Sequence, residues 1–215
     1  MADIAVHDAH DAHDSHDGAG HDAHGAVHAT STGLSNNKLA MWIFLGSECL
    51  LFGGLIATYM LYRGRQGTGP GPGQIFDIPL TSVSSFILLM SSLTMVLAVN
   101  AAKEGNDRDT SLWLCATAFL GALFVGGQVY EFTAFYQEGL GFTTSLFGSS
   151  FYTLTGFHGV HVSVGIIMLL ALVGIINRDR MPGDKAEVVE LIGLYWHFVD
   201  VVWVVIFTLV YLIPA

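Results

Sequence analysis

Charged residues are scarce in this chain. Asp, Glu, Lys and Arg make up 12% of its 215 residues, about half the share of an ordinary soluble domain. With 52% hydrophobic residues, that deficit excludes a typical water-soluble globule. Cysteine is almost missing as well: Cys49 and Cys115 both lie within apolar runs. No CxxC or CxxCH spacing exists, so there is no signature of haem attachment, a zinc knuckle or a redox dithiol. Both read as buried small hydrophobes. The N-terminus lacks the basic and apolar regions of a signal peptide, so insertion is expected to be directed by the first span.

Basic residues are missing from the first 37 positions, which hold six of the 18 acidic residues and none of the eight Lys and Arg. The net charge of −10 therefore resides largely in a tail, and it argues against a nucleic-acid partner. Residues 1–37 form a low-complexity Asp/His tail, expected to be disordered because it has too little apolar surface to bury. It carries His7, His10, His13, His16, His21, His24 and His28. A loose divalent-metal site is conceivable there, but a solvated tail is the better reading, because nothing sets a ligand geometry.

Residues 38–215 read as one all-α integral membrane bundle of five transmembrane helices. The spans run about Lys38 to Tyr62, Leu80 to Ala102, Ser111 to Tyr136, Ser149 to Ile176 and Val188 to Ile213. Each is long enough to cross a hydrocarbon core of about 30 Å. Helix is expected because lipid offers no partners for backbone polar groups. Arg63 to Gln74 is a Gly/Pro-rich loop, Lys103 to Asp109 a short polar turn, Gly139 to Thr144 an uncharged link, and Asn177 to Lys185 a basic one containing Pro182. Lys38, Lys103, Arg108, Arg178, Arg180 and Lys185 fall on one side, against Arg63 and Arg65 on the other. That asymmetry places the N-terminus in the cytoplasm and the C-terminus outside. Gly156, Gly159, Ser163 and Gly165 in span four, with Gly121, Gly126 and Gly127 in span three, are expected to let helix backbones approach closely.

Six ionisable residues interrupt the spans: Glu48, Glu131, His158, His161, His197 and Asp200. An intramembrane charge costs at least about 2.5–3.5 kcal/mol, so each should face a partner. Helical rise puts Glu48 and His197 about 14 Å deep. Glu131 falls near the outer end of its span, and the other five are expected to form one polar layer across spans one, four and five. The pairs His158/His161 and His197/Asp200 are spaced i,i+3 and lie on one helix face each. Zinc is conceivable on such pairs, but the Glu-x-x-His repeat of di-iron bundles is missing, and interhelical polar pairing is the stronger reading. A direct proton relay through these residues is a further option.

Four segments resemble the subunit III family of haem–copper respiratory oxidases. They are Trp42-Ile43-Phe44-Leu45-Gly46-Ser47-Glu48, Gly127-Gln128-Val129-Tyr130-Glu131-Phe132, Phe151 to Val162 with its Gly-Phe-His-Gly-Val-His core, and Tyr195-Trp196-His197-Phe198-Val199-Asp200-Val201-Val202-Trp203. The resemblance covers about Lys38 to Ile213. It implies a non-catalytic subunit that has no cofactor of its own. Haem and copper would be held by partner subunits, and phospholipid is an expected ligand. It also implies partnership with oxidase subunits I and II, with a small subunit IV and a larger respiratory supercomplex as further assemblies. The implied setting is a bacterial plasma membrane, and the implied roles are stabilising subunit I, sustaining its proton uptake and protecting it during turnover. Glu48 matches the family's buried, carbodiimide-reactive carboxylate. Longer members have seven helices with lipids in a cleft beside the first two, and this chain has only five. The Ser47-Glu48 and Gly127-Gln128 pairs favour the cytochrome c branch, with the quinol oxidase branch as the alternative. A small proton channel or secondary transporter and a membrane metalloenzyme are the competing classes. Broken helices or repeated segments, which a transporter would need, are not evident.

Overall fold

A computed structural model describes residues 35–65, 78–178 and 184–213. The expectations for the His-rich tail, for most of the Gly/Pro-rich loop and for the Pro182 turn lie outside the described residues. Five helices are found: α1 (Asn36–Tyr62), α2 (Ile78–Lys103), α3 (Asp107–Gln137), α4 (Leu146–Ile176) and α5 (Lys185–Phe207). All five are long and apolar enough to cross a membrane, and no strand occurs among the described residues.

Most helices begin a few residues before their apolar runs, because polar caps extend them. Ser35 accepts from the Lys38 amide, Asn106 from Asp109, Ser145 from Gly148 and Asp184 from Ala186. Each cap satisfies an amide that the first helical turn cannot. Asp107 and Asp109 add favourable charge at the start of α3. The α2–α3 turn closes at Gly105, whose φ of +73° suits a residue without Cβ.

The end of α5 was not foreseen. Beyond Phe207 the chain continues as a π-helical turn over Thr208–Leu212, and the Ile213 amide bonds to the Thr208 carbonyl at 3.2 Å. The wider turn carries Tyr211 into the interior, 6% exposed.

Packing follows the chain from α2 to α3 to α4. α5 lies against α2 and α4, and α1 packs mainly on α4 and α5. Side chains fix this arrangement at both ends. Lys38 pairs with Glu190 at 3.2 Å, the Ser35 hydroxyl bonds Glu187, and Lys185 pairs with Asp107 at 2.8 Å. The starts of α1, α3 and α5 therefore share one face, called here the N-terminal face. At the opposite face the Arg63 guanidinium donates to the Ile213 carbonyl. The exterior is apolar, with Leu50 80% exposed and Ile43, Phe119 and Ile167 also outward, as lipid contact requires. Cys49 and Cys115 are exposed too, contrary to the expected burial. Helices that are apolar all round give no periodicity from which to tell the lipid side.

The glycines also behave differently from expectation. Gly121 and Gly165 admit an indole rather than a backbone. A Cβ on Gly121 would lie 2.6 Å from Trp196 Cη2, and one on Gly165 would lie 2.8 Å from Cζ3. Gly159 makes room for Gln128 in the same way, and Gly127 for Ser84, whereas Gly126 and Gly156 face open space. At Gly121, Gly159 and Gly165 the missing Cβ makes room for a large side chain.

Candidate functional site

The five residues expected in one layer do not share one network. With Glu131 they separate into four settings, because i,i+3 neighbours on a helix still diverge enough to meet different partners.

Glu48 on α1 meets His161 on α4. Glu48 Oε2 lies 3.1 Å from His161 Nε2, and His161 Nδ1 lies 2.7 Å from the Phe157 carbonyl oxygen. A carbonyl only accepts, so Nδ1 carries hydrogen. Nε2 and the carboxyl oxygen then form the polar contact that joins α1 to α4. Glu48 is half-buried rather than buried, with its side chain 14% exposed and that of His161 16%. His161 also lines a groove beside α1 with Met41, Phe44, Val164 and Tyr195.

His158, one turn away, faces inward and is 0% exposed. Its ring stacks on Trp203 at 4.9 Å and takes the edge of Phe124 at 5.8 Å. Neither ring nitrogen has a hydrogen-bond partner. This corrects the expectation that every intramembrane polar group would be satisfied. The imidazole packs here as an aromatic ring. Two unpaired nitrogens each cost about 1–3 kcal/mol, so His158→Phe is expected to raise the temperature at which the bundle unfolds. A fall in that temperature would show that the nitrogens hold a partner.

His197 and Asp200 on α5 both converge on Ser92 of α2. Ser92 Oγ lies 3.1 Å from His197 Nδ1, and the Ser92 hydroxyl donates to Asp200 Oδ2. Asp200 is 4% exposed, and its Oδ1 has no partner. Span two had no place in the expected layer. Its signal was present but unused: Thr81, Ser82, Ser84, Ser85, Ser91, Ser92 and Thr94 make it rich in hydroxyls, the usual interhelical glue in lipid.

Glu131 lies toward the opposite face, as expected from its position late in α3. Thr81 donates to its Oε1 at 2.5 Å, and Tyr211, turned inward by the π-helical turn, bonds its Oε2 at 3.4 Å. The core beside it is stitched by Trp196 Nε1–H to Ser91 Oγ at 2.9 Å, Trp203 Nε1–H to Ser85 Oγ at 2.8 Å and Gln128 Nε2–H to the Thr155 carbonyl at 2.8 Å. Among the described residues no three His, Cys, Asp or Glu side chains converge as a metal-ligand set.

Five membrane-length helices with their acids paired across helix interfaces define an all-α, multi-pass membrane bundle. Residues 21–214 match the family model described as "Cytochrome c oxidase subunit III", and the chain belongs to that family. It is similar to the cytochrome c oxidase subunit 3 of Bacillus sp. (strain PS3), 43% identical over 178 residues, which is 82% of this chain and 86% of that protein. It is also similar to the probable quinol oxidase subunit 3 of Staphylococcus saprophyticus, 38% identical over 194 residues, or 90% of this chain and 96% of that one. The cytochrome bo(3) ubiquinol oxidase subunit 3 of Pseudomonas aeruginosa is 38% identical over 196 residues, covering 91% and 92%.

Proposed function

We propose that this chain is the non-catalytic subunit III of a haem–copper terminal oxidase whose electron donor is cytochrome c. It stabilises subunit I and sustains proton uptake there, alongside subunit II and membrane phospholipid, with haem and copper in the partner subunits. A small subunit IV and a larger respiratory supercomplex extend the same assembly. The setting is a bacterial plasma membrane with the N-terminus in the cytoplasm, which the distribution of Lys and Arg supports.

The observation that carries this reading is the engagement of all three intramembrane acids by protein neighbours: Glu48 by His161, Glu131 by Thr81 and Tyr211, and Asp200 by Ser92. Such pairing fits a scaffold more than a catalytic centre. Affinity purification of the chain from gently solubilised membranes should bring down haem absorbance and oxygen consumption. Recovery as a lone, haem-free particle would overturn it. Relatives named for quinol oxidases support quinol as the alternative donor. Oxidation of reduced cytochrome c against oxidation of quinol by the purified complex separates the two.

Glu48→Gln is expected to leave assembly and steady oxygen reduction largely intact. The amide still bonds His161 Nε2, as donor or as acceptor. Haem content and oxygen consumption measure this, and loss of haem reduction would place Glu48 in the chemistry.

A further inference from the structure

A groove of about 270 Å³ opens beside α5, lined by Lys38 and Trp42 of α1, Val96, Val99 and Lys103 of α2, and Glu190, Gly193 and His197 of α5. Its order along the helices is informative. On α2 the residues Lys103, Val99, Val96 and Ser92 succeed one another at three- and four-residue steps, and on α5 so do Glu190, Gly193, His197 and Asp200. Each set is one stripe of its helix. The two stripes meet at Ser92, where the side chains of His197 and Asp200 converge. The groove therefore runs from a charged mouth at the N-terminal face, past apolar walls, to His197, beyond which Ser92 joins the ring to the buried carboxyl of Asp200. At mid-length Gly193 lets α2 side chains pack close: a Cβ there would lie 3.1 Å from Met95 Cε and 3.3 Å from Val99 Cγ2.

We propose that this groove is a proton-exchange port and that Asp200 is the carboxyl it serves, reached through His197 and Ser92. The geometry supplies each step. His197 Nε2 has no protein partner among the described residues, and the ring lines the groove. A hydronium in the groove gives a proton to Nε2 and is left as water. The ring passes the proton on Nδ1 to Ser92 Oγ as Ser92 passes its own hydroxyl proton to Asp200 Oδ2. One proton moves from groove to carboxyl, only N–H and O–H bonds change, and the reverse path resets the ring. The unpartnered Asp200 Oδ1 leaves the acid room to rearrange. The other titratable groups on the packed helices are engaged elsewhere or stand at the mouth. Lys38 and Glu190 pair at the mouth beside Lys103, His161 is held by Glu48, and His158 lies in its aromatic cage.

The port deepens the proton-uptake reading and rests on it for its use, so two measurements are made on the purified complex. Infrared spectra after transfer into deuterium oxide should show a protonated-carboxyl band that Asp200→Asn removes. Its exchange should slow roughly 10²-fold in Ser92→Ala, the scale on which a positioned group speeds proton transfer. It should recover in Ser92→Thr and slow again in His197→Phe, which keeps a ring beside Ser92 and removes both nitrogens. The port is overturned if Asp200→Asn removes no band, or if Ser92→Ala exchanges at the wild-type rate. Oxygen consumption at alkaline pH is the second measurement. Slowed exchange with unchanged consumption would keep the port and remove the proton-uptake reading.

Discussion

Replacing Trp196 with Ala is expected to detach this chain from its complex more readily than any other single truncation in the core. The indole is 1% exposed and touches three other helices. Its ring fills the slots at Gly121 of α3 and Gly165 of α4, and its Nε1–H bonds Ser91 of α2. In lipid the usual gain from leaving water is largely lost, because the surroundings of an unpacked helix are already apolar. The cavity term remains. At about 24 cal/mol per Å³, a void on the order of 100 Å³ costs about 2.4 kcal/mol, and losing the indole hydrogen bond adds about 1 kcal/mol. The readout is the fraction of chain still bound to the haem-bearing subunits after stepwise heating in detergent. Wild-type retention in Trp196→Ala would refute the keystone role. The slot gives an internal control. Gly165→Ala should destabilise the wild type by overpacking, about 1–3 kcal/mol, and should cost much less beside Trp196→Ala, where the ring it would strike is gone. That non-additivity is the mark of direct contact.

The sequence made the helices legible and left their partnerships obscure, for a physical reason. A run of some 25 apolar residues in lipid has one structural solution, so five spans could be read from composition alone. Their early starts could have been read as well, since Ser35, Asn106, Ser145 and Asp184 are ordinary cap residues. Which side of each helix faces a neighbour is another matter. Soluble helices betray their buried stripe by alternation with polar residues. Here Leu50 at 80% exposed and Leu88 at 1% are chemically identical. Glu48 and His161 were expected in one layer and do meet. His158 and Asp200 were expected in that layer too, yet one meets only aromatic rings and the other a serine on α2. Depth is a one-dimensional quantity that helix geometry supplies. The rotation of each helix about its axis is set by contacts such as Trp196 in its glycine slots, and no single span encodes it. The π-helical turn that brings Tyr211 to Glu131 belongs to the same class, since its cause lies in packing.

His161→Leu should be the most damaging change among the intramembrane polar residues, and more damaging than removing both members of its pair. Glu48 Oε2 and His161 Nε2 lie 3.1 Å apart. Deleting the imidazole leaves the carboxyl beside Phe52, whose ring lies 5.0 Å from the His161 ring, with no donor in its place. Stranding one member of a largely desolvated ion pair costs about 3–5 kcal/mol, whereas replacing both with apolar residues is often neutral. The double variant Glu48→Leu with His161→Leu is thus expected to hold its partner subunits nearly as well as the wild type. The single His161→Leu should lose them at a far lower detergent concentration, and Glu48→Gln should fall close to wild type because its amide still bonds the ring. Retention in a detergent titration, read from haem co-eluting with the chain, ranks all three. If the double variant proved as unstable as His161→Leu, the two side chains would each be contributing packing that leucine cannot replace, and the account of Glu48 and His161 as a self-contained pair would fail. If His161→Leu behaved as wild type, Glu48 would have another donor within reach.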